Sequence, residues 1–233
     1  ALVTWDEFKG TFASSQGSAF VRTWNLSEHQ ANTNSGYSST LVQRKSDVGE
    51  FVLAFRGTEE YADLATDLGD IVADGLALDQ IVDMYNDWQR LKAPNGATYR
   101  AARFQVLAAE TSEYIEAMRD PGSPSAQSVL SMLRARTDIV IDSPAGEVQR
   151  IGFADSATVF GASDPRALGL GAVPAGAKLT VTGHSLGGHL AAAFTRLFPA
   201  TGAEALTVNA AGFATGLLPG IGLVALLVVA GDL

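Results

Sequence analysis

The chain has no cysteine among its 233 residues. A disulfide framework is therefore excluded, and the redox compartment is left open, because a chain of this length can bury a core that needs no staple. Histidine is nearly as scarce, with three in all. Basic residues are outnumbered, 16 Lys and Arg against 25 Asp and Glu, for a formal net charge of −9. That sign repels phosphate backbones and anionic membrane surfaces over long range, so nucleic acid is not an expected partner. Internal repeats and low-complexity tracts are lacking too, as is a basic segment followed by an apolar one at the start of the chain. The chain reads as one whose leader has been removed, whose ends have been trimmed, or whose export uses no such leader. No apolar run reaches the roughly 20 unbroken residues of a spanning helix. The charge-free stretch 205–231 is interrupted by Pro219 and several glycines, so its Leu223 to Ala230 end is expected to be a buried strand or an apolar lid.

What is present is a globular composition, 47% hydrophobic and 18% charged, which reads as one domain over residues 1–233. The first thirty residues, with Trp5, Phe8, Phe12 and Phe20, are expected to form a helical or irregular entry. Tyr37 to Gln43 and Glu50 to Phe55 read as two strands joined by a short polar turn, the second apolar throughout and central. From Tyr61 to Leu91 an apolar stripe of helical period, broken at Gly69 and Gly75, predicts two helices or one kinked helix with Tyr85 and Trp88 in the core. Arg100 to Arg119 reads as a further amphipathic helix, ended by Asp120-Pro121-Gly122. A short helix is expected near Val129 to Arg136, and strands at Ile139 to Ile141, Val148 to Phe153 and Ala205 to Asn209. Strand and helix alternate at the end as a parallel sheet requires.

The chemistry lies between two of these elements. Lys178 to Thr182 is a β-branched run, Gly183-His184-Ser185-Leu186-Gly187 follows at once, and an Ala-rich helix runs on to Phe198. Gly-x-Ser-x-Gly between strand and helix is the signature of a nucleophile elbow. Ser185 is lifted above the carboxyl end of the sheet on a strained turn, and the flanking glycines are required because strand and helix pass close together. The Leu186 N–H, at the helix N-terminus, points to where an oxyanion forms. A second donor is expected at Thr58, which follows Arg56-Gly57 directly after the strand that ends at Phe55.

Phe55-Arg56-Gly57-Thr58-Glu59 together with Thr182-Gly183-His184-Ser185-Leu186-Gly187-Gly188-His189-Leu190 resembles the class 3 lipases. Asp63-Leu64-Ala65-Thr66-Asp67 and the run Ala193 to Pro199 resemble, more narrowly, bacterial secreted lipases and phospholipases of the repeats-in-toxin type. The resemblance implies an α/β-hydrolase-like fold with a mostly parallel sheet flanked by helices. It further implies secretion and hydrolysis of acyl esters with apolar chains at Ser185, contact with a lipid interface, an oxyanion hole at Thr58 and Leu186, and lids near 61–91 or 212–230. A phospholipase or thioesterase on the same elbow is the alternative. The chemistry requires no cofactor, and the calcium-binding glycine-rich repeats of those relatives do not occur.

The triad order of that family, Ser then Asp then His, is not completed. After Ser185 the acids and imidazoles reduce to His189, one helical turn on, and Asp232, which follows an apolar run where the triad acid is expected. His184 adjoins the nucleophile and is expected to point elsewhere, which leaves His29 upstream. The chain therefore reads as C-terminally incomplete, the amino-terminal part of a longer hydrolase, or as a catalytically silent fragment without its base. Asp63, Asp67, Asp70 and Asp74 recur at spacings of four, three and four, and are read as a solvated acidic helix face or as carboxylates for Ca²⁺. Asp79 and Asp83 continue that face.

Overall fold

The computed structural model of the chain describes residues 14–57, 78–136, 138–142 and 145–210. Helix α1 (Ser14–Thr23) leads into β1 (Trp24–Gln30), β2 (Ser39–Arg44) and β3 (Glu50–Phe55). These strands pair antiparallel in sequence order. The five-residue turn 45–49 and the short 31–38 connection dictate this, since a parallel crossover needs a dozen residues or more. Then come α2 (Leu78–Lys92), β4 (Arg100–Val106), α3 (Ala108–Arg119), α4 (Pro124–Ala135), β5 (Val140–Asp142), β6 (Glu147–Asp155) and the short α5 (Ser156–Phe160). Strand β7 (Lys178–His184), α6 (Leu186–Leu197) and β8 (Glu204–Val208) complete the described part.

The strands form two sheets, β1-β2-β3-β7-β8 and β4-β6-β5. Among the described residues only the β3–β7 and β7–β8 pairs are parallel, and the second sheet is antiparallel throughout. The expectation of a mostly parallel, α/β-hydrolase-like sheet is thereby corrected. Two features account for the difference. The amino-terminal strands form a meander held by short loops, and residues 100–106, expected to begin a helix, form a strand instead. The Arg, Ala and Gln of that segment favour helix locally, but pairing with β6 overrides the preference. The edge of β4 that faces away from β6 is closed by a side chain. Asn86 of α2 donates through Nδ2 to the Ala102 carbonyl (3.0 Å) and accepts at Oδ1 from the Ala102 N–H (2.7 Å). Both groups are buried, so leaving them unpaired would cost about 1–3 kcal/mol each.

The main core lies where α2 and α6 cover one face of the five-stranded sheet. Phe51, Leu53, Phe55, Leu179 and Val181 point from β3 and β7 to Ile81, Met84, Tyr85, Trp88, Leu190 and Phe194. Tyr85 and Trp88 are buried there as expected from the apolar stripe, Trp88 meeting Phe194 edge-on at 5.1 Å. Small residues at Ala191 and Ala193, both fully buried, let α6 lie close on the sheet. A smaller core under α3 and α4 gathers Tyr114, Leu130, Leu133, Ile139 and Val148. The strap 168–173 then satisfies the C-terminal carbonyls of α2. Leu170 N–H donates to Arg90 O (2.8 Å), Gly171 N–H to Ala93 O (2.7 Å), and the Ala172 and Val173 amides to Leu91 O. Among the described residues no helix is long and apolar enough to cross a membrane. The acidic row Asp63, Asp67, Asp70 and Asp74 and the apolar segment 212–230 lie outside the described residues.

A polar seam runs through this packing. Asp87 of α2, only 7% exposed, accepts at Oδ2 from Tyr37 Oη (2.8 Å) and Ser39 Oγ (2.6 Å). Asp83 accepts from Ser35 Oγ (2.7 Å), and Gln80 Nε2 donates to Ser35 O (2.9 Å). The helix thus grips the loop that enters β2 at three points. Burial pushes the Asp87 carboxyl above its ordinary range, against the two hydroxyl donors that favour its charged form. The folded state therefore holds that proton more tightly than the unfolded chain does. The stabilisation from this group is complete below the unfolded pKa and is lost as pH rises through the folded one. Asp87→Asn keeps both acceptor contacts and cannot ionise. Urea unfolding of parent and variant across that pH window is expected to show the difference shifting toward the variant as pH rises, and a pH-independent difference would refute the buried-carboxyl account.

Candidate active site

Ser185 sits between the end of β7 and the first residue of α6, with φ 54° and ψ −120°. An L-residue pays on the order of 1–3 kcal/mol to be held in such a conformation. The surrounding bonds explain why it stays. The Ser185 N–H donates to Val208 O on β8 (3.1 Å), and its carbonyl accepts from the Gly188 and His189 amides (3.0 and 3.1 Å). Both backbone groups are thus committed to structure, whereas the side-chain hydroxyl is hydrogen-bonded to no described residue. Ser185 is half-buried, and Leu186 behind it is buried.

The glycines do what close approach demands. A Cβ on Gly183 would collide with the Gly187 backbone, and one on Gly187 with the Phe55 carbonyl. A Cβ on Gly57 would lie 2.6 Å from His184 O, and one on Gly188 2.7 Å from Ala210 Cβ. The strand, the helix start and the turn after β3 therefore meet backbone to backbone. The amides of Leu186 and Gly187 precede the first intrahelical bond, so the helix ladder does not consume them, and they carry the positive end of the α6 dipole beside the serine. An oxyanion formed on a carbonyl attacked by Ser185 is complementary to such donors.

The parallel pairing of β3 and β7 brings the Arg56-Gly57 turn to this point, with Phe55 in register with Gly183. Arg56 is tied on two sides: its N–H donates to Ser38 O (3.0 Å) and its Nη2 reaches Gly36 O (3.5 Å). Thr58 and Asp232, the expected second oxyanion donor and triad acid, lie outside the described residues.

All three histidines are described, and none is hydrogen-bonded to the Ser185 hydroxyl. His29 lies on β1, in register with Thr40, which pairs with Ala54, which pairs with Thr182. Three strand spacings, about 14 Å, therefore separate it from β7. Its Nδ1 contacts Thr40 Oγ1 at 3.0 Å. His184 is exposed, and His189 is fully buried on α6. Sequence reasoning singled out Ser185 and Leu186 but passed over the Arg56 tether and the polar grip of α2 on residues 35–39, because their partners stand 18 to 50 positions apart. The weak clue was the position of Gln80, Asn86 and Asp87 directly beside the apolar stripe of Ile81, Met84, Tyr85 and Trp88. Among the described residues no group of three or more His, Asp or Glu side chains is gathered to hold a metal ion.

Gly187→Ala is expected to destabilise the protein by about 1–3 kcal/mol, the usual cost of forcing an extra carbon into a closed contact. Gly176→Ala is the control for backbone strain alone, since Gly176 has φ +78° but open space around its Cβ position. Denaturant unfolding of the two variants separates crowding from strain, and equal losses would argue against the close approach. In comparisons with protein-family models, with curated proteins and with solved structures, no match to this chain is found.

Proposed function

We propose that this chain is a serine ester hydrolase that acts on acyl esters with apolar chains. The observation that carries the reading is the backbone of Ser185. Its strained conformation is held by bonds that engage both of its main-chain groups and leave the hydroxyl, at the carboxyl end of β7, bonded to no described residue. Attack of Oγ on the ester carbonyl carbon gives a tetrahedral oxyanion, with the Leu186 amide and Thr58 as its donors. Collapse expels the alcohol and leaves an acyl group on Ser185. Water then attacks that acyl carbon, releases the carboxylic acid and restores the hydroxyl. The serine proton must pass to a base on attack and from it to the leaving alkoxide. Asp232 is the acid in this reading. The resemblance to class 3 lipases supports the acyl-ester substrate, a lipid interface as the place of action, and secretion. Phospholipase or thioesterase action on the same elbow differs only in the group expelled.

A second reading is favoured by one observation, that none of the three histidines is hydrogen-bonded to the Ser185 hydroxyl. In that reading the described scaffold holds a formed nucleophile and oxyanion site without its base. An oxyanion hole and substrate binding alone still retain some rate over water when triad members are missing. Intact-mass detection of a fluorophosphonate adduct, with Ser185→Ala as control, separates the two. Rapid labelling confined to Ser185 is expected of the hydrolase, whereas a folded sample that takes up no probe would leave only the second reading.

A further inference from the structure

We propose that Arg56 is a positioning residue for Ser185, fixing through two separate tethers the turn whose backbone forms one wall of the nucleophile's surroundings; this rests on the reading of Ser185 as the nucleophile. The Arg56-Gly57 turn stands in direct contact with the elbow. A Cβ on Gly57 would be 3.8 Å from Ser185 Cβ, and a Cβ on Gly187 would be 3.0 Å from both the carbonyl carbon and the oxygen of Arg56. The Arg56 peptide is thus seated on the first turn of α6, and any tilt of it moves the chain beside Ser185.

Both of these contacts to described residues lead to the same loop. The main-chain N–H goes to Ser38 O (3.0 Å), and guanidinium Nη2 makes a longer, exposed contact with Gly36 O (3.5 Å). That loop is itself fixed: Gly36 has φ +81° in a turn closed by its N–H to Thr33 O (3.0 Å). Gln80 and Asp83 hold Ser35 from α2, and Asp87 holds Tyr37 and Ser39. A rigid helix therefore holds a loop, the loop holds Arg56 by backbone and side chain, and Arg56 holds the turn against the serine. A lysine at this position offers the charge and donors on a single nitrogen but not the planar fork of an arginine, so it preserves only part of the tether. Displacements of about 1 Å around a reacting atom are enough to cost on the order of a hundredfold in rate.

The test uses the full chain and a fluorophosphonate probe. Ser185 Oγ bonds to phosphorus, the P–F bond breaks, and fluoride and the hydroxyl proton leave to solvent. Labelling rate against probe concentration separates the maximal rate from the half-saturating concentration. Arg56→Ala is expected to lower the maximal rate by about tenfold or more while the half-saturating concentration stays within about twofold, and Arg56→Lys is expected to recover part of the loss. Thermal melts accompany each variant, and Arg56→Gln replaces the alanine variant if that one does not fold. An unchanged maximal rate in a folded variant would overturn the inference. So would equal losses in all Arg56 variants that track their loss of melting temperature, since that pattern belongs to fold support alone. Absence of labelling in the parent would instead remove the reading of Ser185, and this inference with it.

Discussion

Backbone-to-backbone contact at the elbow is the constraint on which the rest depends. Three chain segments, the end of β7, the start of α6 and the turn after β3, approach so closely that Gly183, Gly187 and Gly57 have no space for a side chain. Hydrogen bonds to Val208 and from Gly188 and His189 hold Ser185 in a conformation that its own chemistry disfavours. A contact of this kind is intolerant of slack, so the parallel register of β3 on β7 and the seating of α6 both have to be correct for it to exist. The aromatic packing of Phe55 on Phe194, and of Phe194 on Trp88, supplies that correctness from behind, with stabilisation from apolar burial of about 1.5–3 kcal/mol for each such side chain.

Polar groups do the complementary work. Burial of hydrocarbon is non-directional and lets a helix slide, whereas the Asp87 contacts with Tyr37 and Ser39 have fixed lengths and directions. Their cost is the desolvation that pushes the Asp87 carboxyl upward. What they return is location for the loop entering β2, and through that loop for Arg56.

The parts of the fold legible in the sequence are those whose signals are local. The β2–β3 hairpin shows in two apolar runs around a polar turn. The β7, elbow, α6 and β8 unit shows in a β-branched run, paired glycines and an Ala-rich stretch. Residues 100–106 were not legible, because a segment of Arg, Ala and Gln becomes a strand only when β6 and Asn86 are present to pair with it. The antiparallel meander that replaces a parallel sheet was equally hidden, since β1 carries apolar residues only at Trp24 and Leu26, too few to mark a strand, and is recognisable by its pairing with β2. Of the candidate site, Ser185 and Leu186 followed from spacing. The exclusion of His29 required strand order, a property of the assembled sheet that no single segment encodes.

Asn86 and Asp87 are neighbours in sequence, yet one binds β4 of the small sheet and the other binds Tyr37 and Ser39 at the large one. Helix α2 is therefore cut like a key with teeth on two sides. One residue added or removed within it rotates everything beyond by about 100°, and both sets of teeth would miss together. Length variation in descendants of this chain is thus barred from α2 and pushed into the connections around it, and the relative placement of the two sheets is inherited as a single unit.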